Sequence, residues 1–157
     1  MTKKRGLFLA LFMAAVVGVD QWTKALVRAN IPYGGQVPLI PGVVRLTYVR
    51  NTGAAFSMLS GARWFFLGLL AVFFLVVALL IKKKLLKKPA ELWCLAAIGG
   101  GALGNAIDRA VFGEVTDMIE PLFINFAVFN VADIFITCGA IALAVYIIFF
   151  DREKKNK

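Results

Sequence analysis

Apolar residues run almost unbroken through four stretches of the chain, 7–27, 62–81, 90–107 and 131–150. Each is long enough to cross a hydrocarbon core of about 30 Å as a helix. Polar residues interrupt the first and third near their ends. Between the first and second stretches the pattern changes: Pro32, Gly34, Gly35, Pro38, Pro41 and Gly42 punctuate the chain, and Val44, Leu46 and Tyr48 then alternate with Arg45 and Thr47. That period of two predicts a short strand, in a small sheet or hairpin resting on the membrane surface. NTGAAFSML (51–59) leads into the second span and predicts a short interfacial helix. The other long connection, 108–130, carries Glu114, Asp117, Glu120 and Pro121.

Composition agrees with this pattern. A hydrophobic content of 61% exceeds the soluble-protein norm of about 45–50%. The formal net charge of +9 invites a nucleic-acid reading, but the placement of the charge opposes it. Lys3, Lys4 and Arg5 precede span one, Lys82, Lys83, Lys84, Lys87 and Lys88 separate spans two and three, and Arg152, Lys154, Lys155 and Lys157 follow span four. In a four-span topology all three clusters fall on one side, so the positive-inside rule puts both termini in the cytoplasm and both long loops outside. The expected fold class is an all-α membrane protein, four transmembrane helices with a small extracytoplasmic β element, forming a single integral-membrane domain over 1–157. KKR followed by LFLALFMAAVVGV resembles a signal peptide, but no A-x-A-like site follows, and a retained signal anchor is expected.

Cys94 and Cys138 both lie inside spans and suit small apolar packing positions better than a disulfide or a metal site. There is no histidine, which removes histidine-based zinc sites and serine–histidine or cysteine–histidine pairs. Ser57 or Ser60 with Lys24 remains a formal option, though SMLSGA has nothing of a nucleophile elbow.

Depth is more informative. Along a helix, Asp20 lies about 20 Å and Lys24 about 26 Å beyond Leu7, while Asn105 lies about 22 Å beyond Ala90. Asp108 and Arg109 stand just above Asn105, and Asp133 opens span four, which runs back inward. Three spans therefore bring polar groups to one outer level, where an ionisable side chain costs up to about 2.5–3.5 kcal/mol. Asp20 with Lys24, and Asn105 with Asp108 and Arg109, share helix faces and could simply neutralise one another. Asp117 and Asp133 have no base within a helical turn. Two readings stay open for each: Asp133 as a first-turn acid behind an Asn130 cap and Asp117 as a solvated loop acid, or the two together as a carboxylate pair. Such a pair, sharing one proton, can activate water against an amide with no metal.

DQWTK (20–24), NTGAAF (51–56), GGALGNAIDR (100–109), GEVTD (113–117) and FNVAD (129–133) resemble, in order and spacing, the blocks of the bacterial lipoprotein signal peptidases, signal peptidase II. The resemblance implies an aspartic endopeptidase that cuts the signal peptide from prolipoproteins just before a diacylglyceryl-modified cysteine. By motif, Asp117 and Asp133 become the catalytic dyad, with Asp20, Lys24, Asn51, Gly53, Asn105, Asp108, Arg109, Asn130 and Ala132 supporting it or contacting substrate. It further implies a lipid-modified prolipoprotein and membrane lipids as partners, no nucleic acid, no metal or other cofactor, a monomer, and a site near the outer face of the cytoplasmic membrane. Ile134 stands where the family often has a small or hydroxyl residue, and Thr116 and Met118 where valine and phenylalanine are common; both carboxylates are kept. Lys24, Arg50 and Arg109 beside such a pair would lower both pKa values, whereas sharing a proton requires one to be raised, so Asp20 and Asp108 are expected to neutralise the nearby cations. A transporter is the rival reading, but it requires polar groups through the full depth, and apart from Glu91 at the start of the third span the cytoplasmic half of every span is apolar.

Overall fold

The computed structural model describes residues 2–53, 59–86 and 88–150. Four helices, α1 (Lys3–Asn30), α2 (Arg63–Lys82), α3 (Pro89–Phe112) and α4 (Val131–Phe150), are long and apolar enough to cross a membrane. Strands β1 (Gln36–Ile40) and β2 (Val44–Asn51) follow α1, and β3 (Val115–Pro121) follows α3. They form one antiparallel sheet in the order β1-β2-β3.

Helix α3 sits at the centre, packed against α1, α2 and α4. Its glycines make this possible. Gly99 and Gly100 lie against Met13 and Val16 of α1, Gly104 against the Asp20 side chain, and Gly101 against the Ala132 carbonyl of α4. A side chain at any of them would hold the helices apart. Helix α2, by contrast, buries none of its residues, the profile of a helix whose surroundings are mainly lipid.

The sheet is pinned to the end of α1 by Val27, Ile31, Tyr48 and Met118, which form a buried apolar cluster flanked by Leu46 and Ile119. Arg45 and Glu120 face each other across β2 and β3 with two 2.7 Å hydrogen bonds, and Thr47 also donates to Glu120. The expected alternation at Val44–Tyr48 therefore corresponds to β2, the central strand.

Three expectations need correction. Helix α3 continues to Phe112, where Gly113 ends it in a left-handed conformation, instead of stopping at 107, because Asp108 and Arg109 find partners inside the protein. Residues 115–121 form a strand and not a loop. Val115 through Met118 are all buried, so β3 lacks the polar alternation that marks a half-exposed strand. Asp108 does not pair with Arg109 on its own helix: it reaches α1 and β3. Most of the segment expected as an interfacial helix over 51–59, together with Lys87 and the C-terminal basic cluster, lies outside the described residues.

Candidate active site

Asp117 enters the site from β3 and Asp133 from the first turn of α4. What unites them is a short bridge: Phe129 exchanges backbone hydrogen bonds with Ile119 at 2.7 and 3.1 Å, which lays the residues before α4 alongside β3. Asn130 is thereby set between the two acids. Its Nδ2 donates to Asp117 Oδ1 at 2.6 Å, while its Oδ1 accepts from the Asp133 backbone N–H at 3.0 Å. The Asn130 N–H returns a bond to Asp133 Oδ2 at 3.1 Å. This reciprocal pattern is a helix capping box, so Asn130 caps α4 and ties the two acids together at once.

Two more amides complete the surroundings. Asn51 Nδ2 donates to Asp117 Oδ2 at 2.9 Å and Asn105 Nδ2 to Asp133 Oδ1 at 2.7 Å. Each carboxylate thus accepts from two N–H groups, none of which titrates. Burial pushes the Asp117 carboxyl up from 3.8 to about 6; the Asn51 hydrogen bond opposes this rise and the charge of Asp133 adds to it. A carboxyl group poised there can hold or release a proton near neutral pH.

Behind Asn105 lies a fully buried charge cluster. Lys24 Nζ stands 2.8 Å from Asp20 Oδ2, 3.3 Å from Asp108 Oδ2 and 2.9 Å from Asn105 Oδ1. Lys24 therefore fixes which end of the Asn105 amide faces Asp133, since its ammonium can only donate. Asp20 also accepts from the Ala132 backbone N–H at 2.9 Å, and Asp108 from that of Thr116 at 3.0 Å. The cluster locks α1 and α3 to α4 and β3 on either side of the two acids.

Asp117, Asp133, Asn51, Gly53, Asn105, Arg109 and Asn130 all line one cavity of about 670 Å³. The rest of its lining is mainly apolar, with Phe66, Leu70 and Phe73 from α2, Ala102 from α3 and Ile134 from α4; Thr137 adds one hydroxyl. Arg109 spans the cavity's polar end, donating to the Gly53 carbonyl at 2.7 Å with its guanidinium 4.4 Å from the Phe66 ring. Its Nε is buried and has no hydrogen-bond partner among the described residues. Asp20, Lys24, Asp108 and Ala132 do not line the cavity and act from behind it.

The expected neutralisation of the cations divides three ways. Lys24 meets both Asp20 and Asp108, Arg50 is matched by Glu114 at 3.4 Å, and Arg109 is held by carbonyl groups. Sequence reasoning missed Gln21 and Arg28. Gln21 Nε2 lies 3.0 Å from Asp108 Oδ1 and the Gly104 carbonyl and 3.2 Å from Asp20, and Arg28 reaches Asp108 at 3.7 Å. The signal was present, because Gln21, Lys24 and Arg28 recur at steps of three and four on one face of α1.

The sequence profile of the family described as Signal peptidase (SPase) II matches residues 12–149. The lipoprotein signal peptidase of Enterococcus faecalis is 39% identical over 146 residues, covering 93% of this chain and 91% of that protein. That of Lactococcus lactis subsp. lactis is 43% identical over 155 residues, covering 97% and 99%. A solved structure, described as a bacterial membrane enzyme determined by the in meso method at 2.3 Å resolution, superposes with a TM-score of 0.88 at 31% identity, covering 96% of this chain and 93% of that one.

Proposed function

Because the chain belongs to the signal peptidase II family of aspartic peptidases, we propose that it removes the signal peptide from diacylglyceryl-modified prolipoproteins, cutting just before the lipidated cysteine with a water activated by Asp117 and Asp133. The observation that carries this reading is that two acids sixteen positions apart, on a strand and a helix, line one cavity whose lining away from its polar end is mainly apolar.

In the reaction, the ionised member of the pair takes a proton from water as its oxygen attacks the amide carbonyl carbon. The protonated member donates to the carbonyl oxygen. Collapse of the tetrahedral intermediate breaks the C–N bond, and the leaving cysteine nitrogen takes a proton from the pair. Asn51, Asn105 and Asn130 hold the carboxylates in place, Gly53 and Arg109 contact the substrate backbone, and Asp20, Lys24, Asp108 and Ala132 keep that frame rigid. The Arg109 Nε–H is the group suited to a substrate carbonyl. No metal or cofactor takes part. The substrate's acyl chains stay in the bilayer and hold the scissile bond at the height of the dyad. The chain works as a single domain and a monomer in the cytoplasmic membrane, with both termini inside and the sheet at the outer face.

The test is cleavage of a synthetic diacylglyceryl-cysteine precursor peptide by the purified protein. Asp117→Asn and Asp133→Asn should each lower turnover by at least about 10³-fold, because a carboxamide can neither accept nor relay the proton. Undiminished turnover by either variant would falsify the dyad assignment.

A further inference from the structure

A second concavity of about 580 Å³ lies on the opposite face of the β2–β3 pair, where Arg28, Tyr33, Tyr48, Arg50, Glu114 and Thr116 meet. It shares no lining residue with the cavity that holds the acids. Arg50 stands directly across from Thr116 in the strand register, and Arg28 Nη1 donates to Thr116 Oγ1 at 2.9 Å, so two guanidinium groups flank one hydroxyl. The Arg50 guanidinium lies 5.1 Å from the Tyr33 ring and 5.7 Å from that of Tyr48, which restrains its plane. Among the described residues its polar contacts are made through Nε, with Tyr48 Oη at 3.3 Å and Glu114 Oε1 at 3.4 Å. Its two terminal nitrogens have no acceptor among the described residues, and the side chain is half exposed.

We propose that this concavity binds the phosphodiester of a membrane glycerophospholipid, held between the Arg28 and Arg50 guanidinium groups. The planar donor fork of arginine fits phosphate oxygens in pairs, and two forks beside a hydroxyl provide more donors than an isolated surface cation. Location selects the lipid as the source. Arg28 is in the last turn of α1, and Phe112, 4.8 Å beneath its guanidinium, is the last residue of α3, so the site sits at the helix ends where headgroups lie. Phe112, which lines the concavity, exposes half of its apolar side chain there, a surface suited to acyl chains. Glu114 adds discrimination, since its carboxylate repels a doubly charged free phosphate more than a singly charged diester.

The experiment uses the full chain, stripped of lipid in detergent and titrated with phosphatidylglycerol or with diacylglycerol of the same acyl chains, bound lipid being read by native mass spectrometry. The native chain should prefer the phospholipid by about tenfold or more, and Arg50→Gln should erase the preference. Arg50→Lys, which keeps the charge without the fork, should fall between the two. Millimolar inorganic phosphate should leave the lipid bound. Equal affinity for the two lipids, or an unchanged preference in Arg50→Gln, would overturn the proposal. Displacement of the lipid by inorganic phosphate would also overturn it, by making this a site for free anions.

Discussion

Asp117 carries the most direct pH consequence. Its carboxyl titrates near about 6 in the folded chain against 3.8 when free, so between those values the folded state binds more protons than the unfolded state. The resulting stabilisation is present at acid pH and is lost as pH rises through about 6. The full loss is about 3 kcal/mol. Melting profiles in detergent from pH 4 to 8 should show the native chain falling steadily behind Asp117→Asn up to about pH 6.5, with a constant gap above it. A gap that does not change with pH would refute the assignment of that proton to Asp117. Lys24 makes a different prediction, since its side chain is fully buried between Asp20 and Asp108. Lys24→Met leaves Asp20 without its cation and Asp108 with Arg28 alone, at 3.7 Å, and should cost about 3–5 kcal/mol, read as a lowered melting temperature. Adding Asp20→Asn should restore part of the loss. The sequence made these acids and bases legible as residues too polar for their depth, but it did not say which would meet. Asp108 lies beside Arg109 in the chain yet pairs with Lys24 and Arg28, because successive positions on a helix point about 100° apart and the partner is chosen by the facing helix.

At the scale of elements, α3 is the member that others are built around. A Cβ at Gly104 would lie 2.5 Å from Asp20 Oδ2, and one at Gly101 would collide with the Ala132 carbonyl oxygen. Gly104→Ala and Gly101→Ala should therefore each destabilise by about 1–3 kcal/mol and lower turnover by shifting α1 or α4 against the site. Gly68 in α2 offers the contrast, with nothing within 4 Å of an added Cβ. Gly68→Ala should leave both melting temperature and turnover close to native. The four helices were readable from apolar run length alone, because the bilayer imposes that length on any spanning segment. Strand β2 was readable from its alternation. Strand β3 was not, since burial on both faces removes the contrast that alternation depends on, and Glu114, Asp117 and Glu120 make the segment resemble a solvated loop.

For the whole molecule, the placement of charge predicts the proposed orientation. Lys82 ends α2 and Lys83 and Lys84 follow it, at the end of the bundle remote from the sheet. Ser60→Cys should accordingly react with a membrane-impermeant maleimide on intact cells, and Lys83→Cys only after lysis; the reverse labelling would invert the topology. The sheet has a last consequence. Val115 and Asp117 of β3 line the chamber of the acids, while Thr116, and Glu114 just before the strand, line that of the arginines, and on β2 Asn51 and Arg50 divide in the same way. Membership of either chamber is thus a matter of odd or even position along a pleated strand. Deleting one residue upstream of Asp117 would trade the contents of the two rooms while leaving composition, charge and hydropathy almost untouched. In β3, counting is chemistry.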